Sequence, residues 1–135
     1  MTKSQPTPSS RATRQRTAIL EVLGAQRSFL SARQIHARLE RRHRDVALAT
    51  VYRTLKSLSR QGTLDVIPGN SEALYCLCRS SGHHHHLVCR SCGASVELEN
   101  PQLESWADEV AGEHGFEAVD HTLELYGTCR TCAAG

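Results

Sequence analysis

"GHHHHLVCRSCG", residues 82–93, places four consecutive histidines directly before a Cys-x-x-Cys pair. Two residues between thiols is the spacing at which a tight knuckle lets both sulfurs reach one ion. A second pair, Cys129 and Cys132, closes the chain in "CRTC". Four sulfurs complete the closed tetrahedral shell of structural zinc. Gly93, just after the first pair, can take the positive φ that such knuckles favour. Arg90 and Arg130, one inside each pair, offset the excess negative charge of a four-thiolate centre. The competing reading is two separate redox motifs, but neither pair is expected at a strand-to-helix turn, and the chain around them is too poor in apolar residues to build a core. Cys89, Cys92, Cys129 and Cys132 therefore read as one structural zinc site, tying the first strand of a small domain to its C-terminus.

The histidines are internal and run into an apolar strand, unlike a purification tag. If residues 83–88 form a strand, successive side chains face opposite ways. His83 and His85 then share one face and His84 and His86 the other, two ligands for each of two sites. Candidate partners on one side are His121 and Glu104. His121 has Val119, Leu123 and Leu125 on its own face of an expected last strand, "FEAVDHTLELYG". Taken alone, a histidine there is more often a satisfied core residue, and Glu104 on the first turn of a helix is usually just favourable to the helix dipole. Together they supply the chemistry of a nitrogen and oxygen shell for zinc or iron. On the other side the candidates are Asp65 and either Cys76 or Cys78. The plainer alternative there is a solvent-facing aspartate and two small hydrophobes.

Composition bounds the fold that surrounds these motifs. The chain has 135 residues, 39% hydrophobic and 4% aromatic, with 6 Cys and 8 His. A chain of this length holds one ordinary domain or two very small ones, and two small ones need a staple such as metal. No apolar stretch approaches the roughly 20 residues that span a bilayer. The start, "MTKSQPTPSS", lacks the apolar segment of a secretory signal. The expected location is the cytoplasm, where Cys-x-x-Cys pairs read as zinc ligands or redox sites rather than disulfides. Charge is divided sharply: residues 1–60 hold 13 Lys and Arg against 3 acids, and the remainder holds 3 against 11. That asymmetry points to a polyanion, nucleic acid first, at the N-terminal end.

Upstream of the histidines the pattern is helical. Residues 1–10, rich in Ser, Thr and Pro, are expected to form a disordered arm. Ile19, Val22 and Leu23 share a face of a helix over about 11–26, and Ser31 caps a second helix carrying Ile35 and Leu39. A third, from about Ala49 to Arg60, aligns Val51, Leu55 and Leu58 and stops at Gly62. "TLDVI" and "EALYCLC" flank the turn cluster "PGNS" and form a hairpin. Three helices and a hairpin is the winged-helix order. Beyond the histidines come a strand near "SVELE", a helix opened by Asn100 and Pro101 with Leu103, Trp106 and Val110 on one face, and the last strand. The expected fold class is α+β: an arm (1–10), a winged helix-turn-helix domain (11–79), a hinge (80–83) and a small α/β dimerisation domain (84–135).

"RATRQRTAIL", "LSARQIHARL", "ALATVYRTLKSL" and "HHHHLVCRSCG" in this order, closed by "CRTC", resemble the Fur family of bacterial metal-dependent repressors over about residues 11–132. The four-histidine run, with a cysteine just before it, most resembles the family's zinc-responsive branch. The resemblance implies a homodimer whose winged helices bind double-stranded operator DNA, up to three Zn²⁺ per subunit, and repression of zinc-uptake genes. It also implies which histidine pair serves which site. Asp65, Cys78, His84 and His86 would form a sensing site at the hinge, and His83, His85, Glu104 and His121 an additional site within the dimerisation domain. Cys76, two residues before Cys78 on the same strand face, competes for the sensing role. A thiolate beside imidazoles and one carboxylate suits Zn²⁺ better than Fe²⁺ or Mn²⁺.

The third helix is expected in the major groove, with Thr50, Tyr52, Arg53 and Lys56 on its first turns. The resemblance marks Tyr52 and Arg53 in particular. Arg53 suits bidentate pairing with guanine, whereas Arg14, Arg16 and Lys56 suit phosphates. An iron- or peroxide-sensing repressor is the alternative on the same fold. A zinc hydrolase is the remote one, since no HExxH and no nucleophile with an assigned base is present. The chain is expected not to be an enzyme and not to engage membranes.

Overall fold

Three amphipathic helices build the first half of the chain, each because its apolar residues recur at helical spacing. A computed structural model describes residues 8–25, 28–77 and 83–135, with side chains from residue 11 onward. The expectations for residues 1–7, for hinge residues 80–82 and for Cys78 lie outside the described residues. The chain divides into two compact units, Met1–Arg79 and Ser80–Gly135.

In the first unit α1 (Pro8–Gly24) is followed by β1 (Leu30–Ser31), α2 (Ala32–Arg41), α3 (Leu48–Arg60), β2 (Leu64–Ile67) and β3 (Leu74–Leu77). Helix α1 begins at Pro8, inside the stretch read as an arm. Ile19, Val22 and Leu23 of α1, Ile35 and Leu39 of α2, and Val51, Leu55 and Leu58 of α3 are each at most 1% exposed and form one core cluster. Helix α2 starts in a capping box: Ser31 Oγ accepts from the Gln34 amide at 3.1 Å, and Gln34 Oε1 accepts from the Ser31 amide at 2.9 Å. Both bonds satisfy backbone donors that the first helical turn leaves unpaired. Ser31→Ala is expected to destabilise this unit by about 1 kcal/mol, seen as a lower urea midpoint with an unchanged slope. Helix α3 stops at Gly62, whose φ of +78° lets the chain reverse without strain.

Strands β2 and β3 are antiparallel, with Asp65 across from Cys76 and Val66 across from Tyr75. Strand β1 adds to β3 in the order β1-β3-β2. At two residues, β1 is too short to show alternation and has no expectation behind it. In the turn between β2 and β3, a Cβ at Gly69 would run into the carbonyl oxygen of Glu72, so only glycine allows the wing to close as it does.

The second unit holds β4 (His85–Cys89), β5 (Ser95–Leu98), α4 (Pro101–Glu113), β6 (Glu124–Gly127) and α5 (Arg130–Ala134). The sheet order is β5-β4-β6; β4 runs antiparallel to β5 and parallel to β6. Asn100 caps α4, its Oδ1 accepting from the Gln102 and Leu103 amides at 3.1 and 3.2 Å, with Pro101 in the first turn. Two expectations are corrected. The last strand is four residues long rather than spanning 116–127, and Ala118, at a φ of +53°, breaks the extended run. The "CRTC" pair does lie at a strand-to-helix turn, since Cys129 is the N-cap of α5 just after β6. Among the described residues of this unit only His85, His86, Val88 and Cys89 are buried. Every member of the apolar core cluster belongs to the first unit.

Candidate metal centres and nucleic-acid face

The histidine run sorts by parity, although β4 begins only at His85 and His83 and His84 precede it, where a strand over 83–88 was expected. The His83 and His85 rings meet at 4.7 Å between centroids and the His84 and His86 rings at 4.8 Å. On the first face His83, His85, Glu104 and His121 each offer a donor atom, all within 4.8 Å of one another. Glu104 is the hub. Its Oε1 lies 2.8 Å from His85 Nε2 and 3.3 Å from His83 Nε2, and its Oε2 lies 2.9 Å from His121 Nε2. His83 Nε2 and His121 Nε2 are 3.0 Å apart. A tetrahedral ion with bonds of about 2.0–2.1 Å to nitrogen and oxygen separates its donors by about 3.3 Å. The set is therefore contracted slightly around the volume zinc would take, and its chemistry suits that ion. The hydrogen bond from His85, followed by that from His121, outweighs desolvation and holds the Glu104 carboxyl below the usual carboxylate range. Glu104 thus brings its charge to the site. His121 reaches it from the irregular segment before β6, not from a strand.

On the opposite face His84 and His86 are joined by Glu97, with donor atoms again within 4.8 Å. Glu97 has no place in the expected ligand set, although its signal was in the sequence. Strand β5 pairs with β4 so that His86 lies directly across from Glu97. A hairpin folded symmetrically about Ser91 and Cys92 predicts that register, and directly opposed residues share a face. Asp65 belongs to β2 of the first unit, directly across from the buried Cys76.

The four cysteines form the third cluster, one sulfur from each lying within 4.8 Å of the others. Gly93 takes a φ of +79° and its amide bonds back to the Cys89 carbonyl at 3.0 Å, closing the first knuckle. The Cys92 and Cys129 sulfurs are 3.8 Å apart. Zinc–sulfur bonds of about 2.3 Å in a tetrahedron place sulfurs about 3.8 Å from each other. The Cys129 amide donates to Cys89 Sγ at 3.4 Å, as does that of Ser91. Backbone hydrogen bonds from Cys129, then Cys92 and Ser91, outweigh desolvation and lower the Cys89 thiol to about 6. Side-chain hydrogen bonds with Cys129, then Cys92 and Cys89, keep the proton on Cys132 and push it up to about 12. Four thiolates cannot share this volume without a cation, which is the chemistry of a closed zinc shell. Convergence of both pairs on one volume answers the two-site redox reading, even though the second pair does stand at a helix start.

In the first unit Arg14, Arg53 and Lys56 are exposed, and Thr50 and Arg16 are half-buried. Arg53 donates to Thr50 Oγ1 at 3.1 Å, and Arg16 donates to Gln61 Oε1 at 2.9 Å. Tyr52 is half-buried against the core, and its hydroxyl donates to Glu72 Oε2 at 3.1 Å. Arg53 and Lys56 lie three residues apart and so on one side of α3.

The chain matches the ferric uptake regulator family over residues 8–126. A zinc uptake regulation protein of Mycobacterium tuberculosis is 47% identical over 123 residues, which cover 90% of this chain and 94% of the relative. The crystal structure of FurB from M. tuberculosis, described as a zinc uptake regulator, aligns with a TM-score of 0.56 at 46% identity, covering 93% of this chain and 97% of that one. A zinc uptake regulator solved in complex with zinc and DNA aligns with a TM-score of 0.70 at 25% identity, covering 96% and 84%.

Proposed function

The chain belongs to the ferric uptake regulator family, and from that premise we propose that it is a zinc-responsive transcriptional repressor, not an enzyme, which binds operator DNA as a dimer and silences zinc-uptake genes. The observation that carries the proposal is the histidine strand, whose two faces assemble separate nitrogen and oxygen ligand sets beside a four-sulfur cluster. Such donor sets suit zinc, and the 47% identical relative is a zinc uptake regulation protein. Zinc bound by these residues would cross-link them and supply no redox chemistry.

In this reading Cys89, Cys92, Cys129 and Cys132 hold the structural ion, and His83, His85, Glu104 and His121 hold an additional one. The sensing set contains His84 and His86. Asp65 and Cys78 complete it from the wing, an assignment that rests on the family resemblance. Glu97 extends this set and favours a second reading. Two imidazoles with carboxylates alone, should Cys78 not ligate, would make an oxygen-richer shell suited to Fe²⁺ or Mn²⁺. Loss of zinc selectivity in Cys78→Ser would support the zinc reading, since only the thiolate separates the two.

A second copy would cover apolar surface in the C-terminal unit, where Trp106 is 60% and Phe116 68% exposed beside Val110 and Val119. Exposed apolar patches of this kind mark association surfaces. No helix among the described residues is long and apolar enough to cross a membrane, and we place the protein in the cytoplasm with its DNA target.

The test is enrichment of duplexes from a random-sequence library by the zinc-loaded protein. Arg53→Ala is expected to weaken the enriched duplex by roughly 1–3 kcal/mol and relax preference at one position of each half-site. Lys56→Ala is expected to weaken all sequences alike and to flatten the salt dependence. Normal binding by Arg53→Ala would remove α3 from the recognition role.

A further inference from the structure

The wing loop reaches back to both helices of the helix-turn-helix through one carboxylate. Glu72 Oε2 accepts from the Tyr52 hydroxyl at 3.1 Å, and Glu72 Oε1 accepts from the Arg33 amide, in the first turn of α2, at 3.3 Å. The Arg33 guanidinium stands 3.5 Å from the same carboxylate. Gly69 allows this position, because a side chain there would strike the Glu72 carbonyl. Desolvation opposes the charge of Glu72, but hydrogen bonds from the Arg33 amide, Ser31 and Tyr52, together with the Arg33 charge, leave its carboxyl below the usual range. An ionised carboxylate is an acceptor only, so Tyr52 must be the donor in the bond between them.

We propose that Glu72 is a specificity-determining residue for DNA recognition: by holding the only hydroxyl proton of Tyr52, it leaves that residue able to meet a base edge solely as an acceptor or through its ring. This inference rests on the repressor reading and on Tyr52 lying at the DNA. A phenol whose proton is free can donate to guanine O6 or N7, to adenine N7, or to thymine O4. One whose proton is committed accepts from the amino groups of adenine or cytosine, or packs on the thymine methyl. Glu72 thereby narrows the bases tolerated opposite Tyr52 without touching DNA itself. The same carboxylate fixes the ring, because it is anchored to the start of α2 through a backbone amide and not through a mobile side chain alone.

The experiment enriches duplexes from a randomised library with the zinc-loaded full chain as wild type, Glu72→Ala, Glu72→Gln, Tyr52→Phe and the Glu72→Ala/Tyr52→Phe pair. Thermal unfolding and zinc content are measured on each. Glu72→Ala is expected to shift base preference about tenfold at one position of each half-site, toward bases that present acceptors. Glu72→Gln keeps an acceptor oxygen and is expected to retain most of the wild-type preference. In the Tyr52→Phe background the Glu72→Ala change is expected to vanish, because no proton remains to be released. Unchanged preference in Glu72→Ala, with wild type still enriching a defined site, overturns the inference and leaves the repressor reading intact. A shift of equal size in the Tyr52→Phe background overturns it also, because Glu72 would then act by another route. Failure of the zinc-loaded wild type to enrich any sequence overturns the repressor reading and this inference with it.

Discussion

Cys92→Ser is expected to cost the C-terminal unit its fold. Only four described residues of that unit are buried, two of them histidines, and none of its side chains joins the apolar core cluster. The sheet is three short strands and α4 leaves Trp106 exposed. Against that small apolar contribution, a structural zinc site contributes on the order of 10 kcal/mol of folding free energy. The four-sulfur cluster clamps the turn of the β4–β5 hairpin to the segment after β6, so its loss frees that end of the sheet. Removing one thiolate should therefore release zinc, abolish dimers and leave the N-terminal unit, with its own helical core, as the folded remnant. Circular dichroism, sedimentation and zinc content on the purified variant read all three. A folded, dimeric Cys92→Ser protein with wild-type zinc content would contradict a structural role.

The second large effect separates the two faces of β4. His84→Ala is expected to leave a dimer with intact structural zinc yet abolish zinc-dependent operator binding. His83→Ala and His121→Ala are expected to lower zinc content and blunt the response without eliminating DNA binding. The physical reason is leverage. His83, His85, Glu104 and His121 all belong to one unit, so a ligand there stiffens that unit. The set containing His84 and His86 is the one read as drawing Asp65 and Cys78 from the wing, and a ligand shared by two domains can bias their arrangement. Operator affinity against buffered free zinc for His83→Ala and His84→Ala, side by side, should give one graded curve and one flat one. Identical curves would mean that all four histidines serve a single site.

The helices of the first unit were legible because periodicity reports burial directly: Ile19, Ile35, Val51 and Leu55 stand where their spacing places them, and Ser31 marks its helix start with a capping residue. The C-terminal unit was legible through its candidate ligands instead. Parity along the run sorted the histidines, and cysteine spacing announced the knuckles. What the sequence hid had local causes. Strand β1 is two residues long, and the segment before β6 breaks at Ala118, whose positive φ no residue type there announces. The helix after Cys129 has only five residues, too few to show a period. Glu97 was hidden for another reason: it becomes a ligand candidate only once the β4–β5 register sets it across from His86. Tyr52 could be placed on the third helix by spacing, whereas its bond to Glu72 depends on a wing turn that sequence patterns do not position.

Operator affinity as a function of buffered free metal tests the central claim most directly. The full chain, with its structural zinc retained, is titrated separately with Zn²⁺, Fe²⁺ and Mn²⁺ under anaerobic conditions, and retention of a duplex enriched by the wild type is followed. The account predicts weak, salt-sensitive binding before metal is added, then a steep rise with Zn²⁺ at free concentrations where Fe²⁺ and Mn²⁺ have no effect. Equal affinity with and without added Zn²⁺, or a response to Fe²⁺ or Mn²⁺ alone, would contradict it.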